Sequence, residues 1–115
     1  MNRIAFTLPE VGLREVKGLV YIDEGFLVIQ VKNVLLGLVD EEKDTIKVEP
    51  PALVSVHIKR GLIWDRLVIR PKKMDLLDIV PGDHKNTVEL RVLRKYRRDL
   101  ERLVDEYDAV AREAA

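Results

Sequence analysis

Along most of this chain polar and apolar residues alternate one for one, the repeat of a strand with one buried face. Ile4, Phe6 and Leu8 alternate with Ala5 and Thr7 until Pro9, which predicts a short strand ending at a sheet edge. Residues 10–15, with Gly12 among them, read as a loop. Residues 17–22 and 26–32 are two apolar-rich runs flanking Asp23, Glu24 and Gly25, a hairpin whose glycine is free to take a positive φ. Val34, Leu35, Leu36, Gly37, Leu38 and Val39 are apolar throughout, so periodicity leaves strand, short helix and loop open. Asp40, Glu41, Glu42, Lys43 and Asp44 then read as a charged turn.

Alternation resumes at Thr45, Ile46, Lys47, Val48 and Glu49, and Pro50-Pro51 breaks it. Val54, Val56 and Ile58 share one face of the next strand, residues 60–63 turn, and 64–70 form a strand with Leu67 and Ile69 inward. Residues 74–80 predict one helical turn, with Asp75 as N-cap and Pro81-Gly82 as its stop. Thr87, Val88, Glu89, Leu90, Arg91 and Val92 alternate once more. The period then lengthens: Tyr96, Leu100, Leu103, Val104, Tyr107, Val110, Ala111 and Ala114 recur every three or four residues, one stripe of a long helix. The whole predicts one mainly β domain over 1–115, with about seven antiparallel strands across 3–93 and a capping helix over about 94–113.

Composition changes this picture little. At 115 residues the chain supports one hydrophobic core. No cysteine is present, which fits a cytoplasmic, reducing setting. The N-terminus lacks the apolar run of a signal peptide, and no window has the ~18 apolar residues of a membrane span. The formal net charge is zero, but residues 1–50 carry −3, 51–98 carry +7 and 99–115 carry −4. A basic face is therefore expected from the middle of the sequence. Lys59, Arg60, Arg66, Arg70, Lys72 and Lys73 are its candidate anion-binding or partner-binding residues.

No sequence signature of catalysis stands out: there is no glycine-rich phosphate loop and no nucleophile or zinc motif. His57 and His84 read as surface histidines, and neither a metal nor a cofactor is expected. Aromatics are only 5% of residues, too few for the stacking platforms of a single-strand binder, so no nucleic-acid partner is expected. The helix has its charges reversed against its dipole. Arg94, Lys95, Arg97 and Arg98 lie early, with Asp105, Glu106, Asp108 and Glu113 late. A second copy running antiparallel would complement them, which makes Arg97, Arg98, Asp105 and Glu106 the candidate contacts of a homo-oligomer. The apolar run at 34–39 is either core or a further contact for a protein partner or membrane surface.

Seven strands followed by an amphipathic helix resemble the pleckstrin-homology-like superfold, and in particular its small stand-alone bacterial members. The resemblance rests on Gly18-Leu19-Val20-Tyr21-Ile22, on Pro51-Ala52-Leu53-Val54-Ser55-Val56 leading to Arg60-Gly61, and on Leu67-Val68-Ile69-Arg70. Val80-Pro81-Gly82 and Val88-Glu89-Leu90-Arg91-Val92 running into the helix complete it, from about Val16 onward. It implies a barrel or sandwich closed by the helix, and a non-catalytic binding or assembly module. Protein–protein contact or self-association is the leading role, with anion or acidic-lipid binding through 59–73 the alternative. Lipid-binding members usually carry a Trp in the closing helix, whereas Trp64 lies among the strands. They also place basic residues at the first hairpin. Here Pro9 to Arg14 or Asp23-Glu24-Gly25 occupies that place, so phosphoinositide binding there is not expected.

Overall fold

A computed structural model of the protein describes residues 3–11, 14–35, 41–77 and 87–114. Seven strands, β1 (Ile4–Val11), β2 (Arg14–Asp23), β3 (Phe26–Leu35), β4 (Glu41–Val48), β5 (Leu53–Lys59), β6 (Trp64–Pro71) and β7 (Val88–Leu93), precede one helix, α1 (Arg97–Ala114). They form a single sheet in the order β4-β3-β2-β1-β7-β6-β5, antiparallel at every junction. The mainly β architecture with one C-terminal helix is the one the periodicities predict.

The alternation has a simple structural meaning. Ile4, Phe6 and Leu8 of β1, Val16 and Val20 of β2, and Leu27, Ile29 and Val31 of β3 are buried in one cluster. Leu67 and Ile69 of β6 and Val88, Leu90 and Val92 of β7 join the same cluster from the other half of the sheet. Leu100, Leu103 and Tyr107 of α1 complete it, and the helix packs on β5, β2, β7 and the 3-10 turn Pro50–Ala52. Burying such a side chain stabilises by roughly 1.5–3 kcal/mol. Among the described residues no helix is long and apolar enough to cross a membrane.

Several expectations are corrected. β1 does not end at Pro9 and is not an edge strand. It continues to Val11 through a register shift after Leu8, and lies between β2 and β7. A shifted ladder is where a strand tolerates proline. The expected loop at 10–15 is correspondingly shorter, since β2 already starts at Arg14. Val34 and Leu35 extend β3, while 36–40 lie outside the described residues. The expected charged turn at 40–44 is largely strand: Glu41, Glu42, Lys43 and Asp44 open β4, opposite Val34, Asn33, Lys32 and Val31. Its backbone pairs on one side only, and charged side chains suit such an edge.

Val54 leaves the inner face because the register shifts between Leu53 and Ser55, and it is 54% exposed. Asp75 is the second residue of a 3-10 turn, Met74–Leu77, and not an N-cap. Its expected stop at 80–82 lies outside the described residues, as does His84. Residues Arg94–Tyr96 form a 3-10 turn ahead of α1, and Ala114 is exposed instead of joining the stripe. The β2–β3 hairpin turns through Glu24 at φ 50° and Gly25 at φ 82°, the positive φ expected of its glycine. At Gly18 a Cβ would collide with the Gln30 carbonyl oxygen and fall 2.7 Å from the Phe6 ring, so only glycine fits between those strands.

Candidate functional site

Residues that are register partners in a sheet share a face, and here that rule lines up basic residues across the whole fold. Lys43 of β4 pairs with Lys32 of β3, Lys32 with Lys17 of β2, and Lys17 with Thr7 of β1. Thr7 pairs with Arg91 of β7, Arg91 with Arg66 of β6, and Arg66 with Lys59 of β5. A single cross-strand row therefore carries a basic residue on every strand except β1. It lies on the face turned away from the core, since Val16, Val31, Val92 and Leu67 next to its members are buried. The neighbouring row holds the acids: Glu15, Glu41 and Glu89 sit two residues along β2, β4 and β7.

Local contacts give this face its shape. Arg91 lies over the Trp64 ring at 4.9 Å, and Arg66 approaches Glu89 at 3.8 Å with both side chains largely in solvent. The Nε of Arg91, the Oγ1 of Thr7 and the Oε1 of Glu89 are buried without a hydrogen-bond partner. A groove of ≈570 Å³ runs beside Thr7, Lys17, Gln30 and Lys32.

The residues singled out in the sequence divide between this row and other places. Lys59 and Arg66 belong to the row. Arg60 is exposed and bonds to Glu101 of α1 at 3.3 Å. Arg70 lies opposite Ser55, four residues along β6 from Arg66, or ~13 Å at the rise of a strand. Lys72 and Lys73 are exposed beyond that end. The six therefore do not converge on one point. Lys17, Lys32, Lys43 and Arg91, which complete the row, escape a reading confined to the 59–73 segment.

The helix residues divide as well. Arg98, Asp105 and Glu106 are exposed. Arg97 instead clasps Asp65, with Nε donating to Oδ2 at 2.7 Å and Nη2 to Oδ1 at 2.8 Å. Asp65 is fully buried and also accepts the Gly61 N–H at 3.1 Å, while Arg97 Nη2 donates to the Gly61 carbonyl at 3.2 Å. The Arg97 hydrogen bonds hold the Asp65 carboxyl below its ordinary value, against the opposing effect of burial and with help from the Gly61 N–H. The same bond raises Arg97. Burial pushes the Tyr107 hydroxyl up, with Asp108 adding to it.

This clasp fixes the turn between β5 and β6. Arg94 N–H also donates to the Ile63 carbonyl at 3.2 Å, so the turn is held from both sides. Leu62 and Ile63 project from it, 89% and 69% exposed. His57 is exposed, and among the described residues no three His, Asp or Glu side chains gather as a metal site would require. No protein-family model, curated protein or solved structure matches the chain.

Proposed function

We propose that the chain is a non-catalytic, cytoplasmic binding module of the small bacterial pleckstrin-homology-like kind, whose ligand is an array of anions met by the basic row. The row carries the reading. Like charges directly opposite one another typically destabilise a sheet by ~0.2–1 kcal/mol per pair, and Arg91–Arg66 and Arg66–Lys59 are two such pairs. A ligand carrying several negative charges offsets that repulsion. The order of seven antiparallel strands and a closing helix supports the family part of the proposal. Inorganic polyphosphate is a suitable probe. It binds at low salt and loses affinity as salt screens the row. Lys59→Glu with Arg66→Glu weakens it about tenfold or more, equivalent to ~1.4 kcal/mol or more. Absence of binding at low salt, or equal binding by the double variant, rejects the reading.

Self-association is the second reading. It is favoured by Arg98, Asp105 and Glu106, which are exposed on α1 and make no ion pair among the described residues. Light scattering after size exclusion at two salt concentrations tests it. A monomer at high micromolar concentration in both buffers rules it out. Arg98→Glu is the informative reversal, because changing Arg97 also breaks its clasp on Asp65.

A further inference from the structure

The geometry points to the β5–β6 turn as a membrane-inserting tip, which makes the anion array of the proposed function the headgroup layer of an acidic lipid bilayer. Leu62 stands almost wholly and Ile63 mostly in solvent, although the chain has a core available to other aliphatic residues. Their exposure is built in. Gly61 is fixed through its N–H by Asp65 and through its carbonyl by Arg97, and the Ile63 carbonyl by the Arg94 N–H. A Cβ at Gly61 would fall 2.1 Å from the Trp64 carbonyl oxygen, so the turn also requires glycine there. The buried Asp65–Arg97 pair is the anchor that holds the two aliphatic side chains outward.

Cations surround the tip. Lys59, Arg60 and Arg66 line a notch of ≈260 Å³ with Gly61, Leu62, Ile63 and Trp64. Arg94, whose N–H bonds to Ile63, and Lys95 next to it are both exposed. Lys59 and Arg66 are each three or four residues from the apolar pair, within ~10–13 Å along an extended chain. That spacing puts positive charge at headgroup level when the tip enters the acyl boundary, the arrangement that binds peripheral proteins to acidic membranes. Arg60 and Arg66 each meet an acid, Glu101 at 3.3 Å and Glu89 at 3.8 Å, while Lys59, Arg94 and Lys95 make no ion pair among the described residues. Trp64 sits at the foot of the tip, where an indole suits the interface.

A bilayer fits better than a protein partner. A stable protein interface needs ~800 Å² from each side with matching shape, which two side chains on a narrow turn do not supply. A fluid interface needs no matching surface.

The inference rests on the anion-binding reading, and one experiment separates the two. Wild type and the Leu62→Ser/Ile63→Ser variant are sedimented with phosphatidylcholine vesicles with and without phosphatidylserine, and titrated with polyphosphate in parallel. Wild type is expected to sediment with the phosphatidylserine vesicles, with a blue shift of Trp64, the only tryptophan. The variant loses vesicle partitioning about tenfold or more and binds polyphosphate as wild type does. Equal sedimentation of variant and wild type overturns the tip. Wild type that binds polyphosphate but not acidic vesicles also overturns it and leaves the anion reading standing. Wild type that binds neither removes both.

Discussion

The Arg97 guanidinium meets the Asp65 carboxylate side-on, two nitrogens to two oxygens at 2.7 and 2.8 Å, across the junction of β6 and α1. This contact ties the start of the helix, the β6 strand and the β5–β6 turn together, through Gly61. It gives the protein an acid-sensitive joint. Folding lowers the Asp65 carboxyl from its ordinary value of 3.8. The stability linked to it is complete above that value and is lost as pH falls through the lower folded one. Asp65→Asn therefore lowers the denaturant midpoint at neutral pH and flattens its fall below pH ~4. Midpoints measured from pH 7 down to 2 check this, and parallel curves for the two proteins contradict it.

Leu100→Ala and Leu103→Ala should each destabilise by ~2–5 kcal/mol, because both side chains are fully enclosed between helix and sheet. Asp44→Ala, at an exposed position of edge strand β4, should change stability by less than ~0.5 kcal/mol. Urea titrations compare them, and similar losses would mean that α1 adds little to the core.

Glu24 is the one described non-glycine residue at positive φ, next to Gly25 in a two-residue hairpin turn. Asparagine tolerates that conformation better, and Asn-Gly is the favoured pair for such a turn. Glu24→Asn is expected to raise the thermal midpoint, with a gain of ~0.4–1 kcal/mol. An unchanged or lower midpoint refutes it.

Vesicles containing phosphoinositides should bind no more tightly than phosphatidylserine vesicles of equal surface charge. Asp23 and Glu24 stand at the β2–β3 turn, and the basic row is spread over six strands instead of focused on one loop. A headgroup preference that disappears when Asp23 and Glu24 are changed would contradict this.

Much of the basic row was open to sequence reasoning. A two-residue turn at Glu24-Gly25 makes Asp23 face Phe26, and counting back from there makes Lys17 face Lys32. The step from Thr7 to Arg91 was not open to it, because strands so far apart in the chain leave no local signal of their pairing. Asp65 shows another limit. By alternation it falls on the same face as Leu67 and Ile69, a polar residue in an apolar row, which marks a buried charge needing a partner. Its partner, Arg97, lies on an element with several arginines, and the periodicity does not distinguish them. At Pro9 and at the charges of 41–44, one local breaker or one polar run does not end a strand. Backbone pairing with β2 and β3 carries the chain through both.

The junction of β1 with β7 also has a consequence for synthesis. β1 is synthesised well before its neighbour β7, with β2 to β6 between them in the chain. Until then β1 offers a bare backbone edge, and Phe6, Val20 and Ile29 have no lid. The nascent chain must carry this half-finished, adhesive surface until β7 has been made. The arrival of β7, more than the birth of any hairpin, is then the event that completes the sheet. A chain cut short before Leu100 would keep that surface for good.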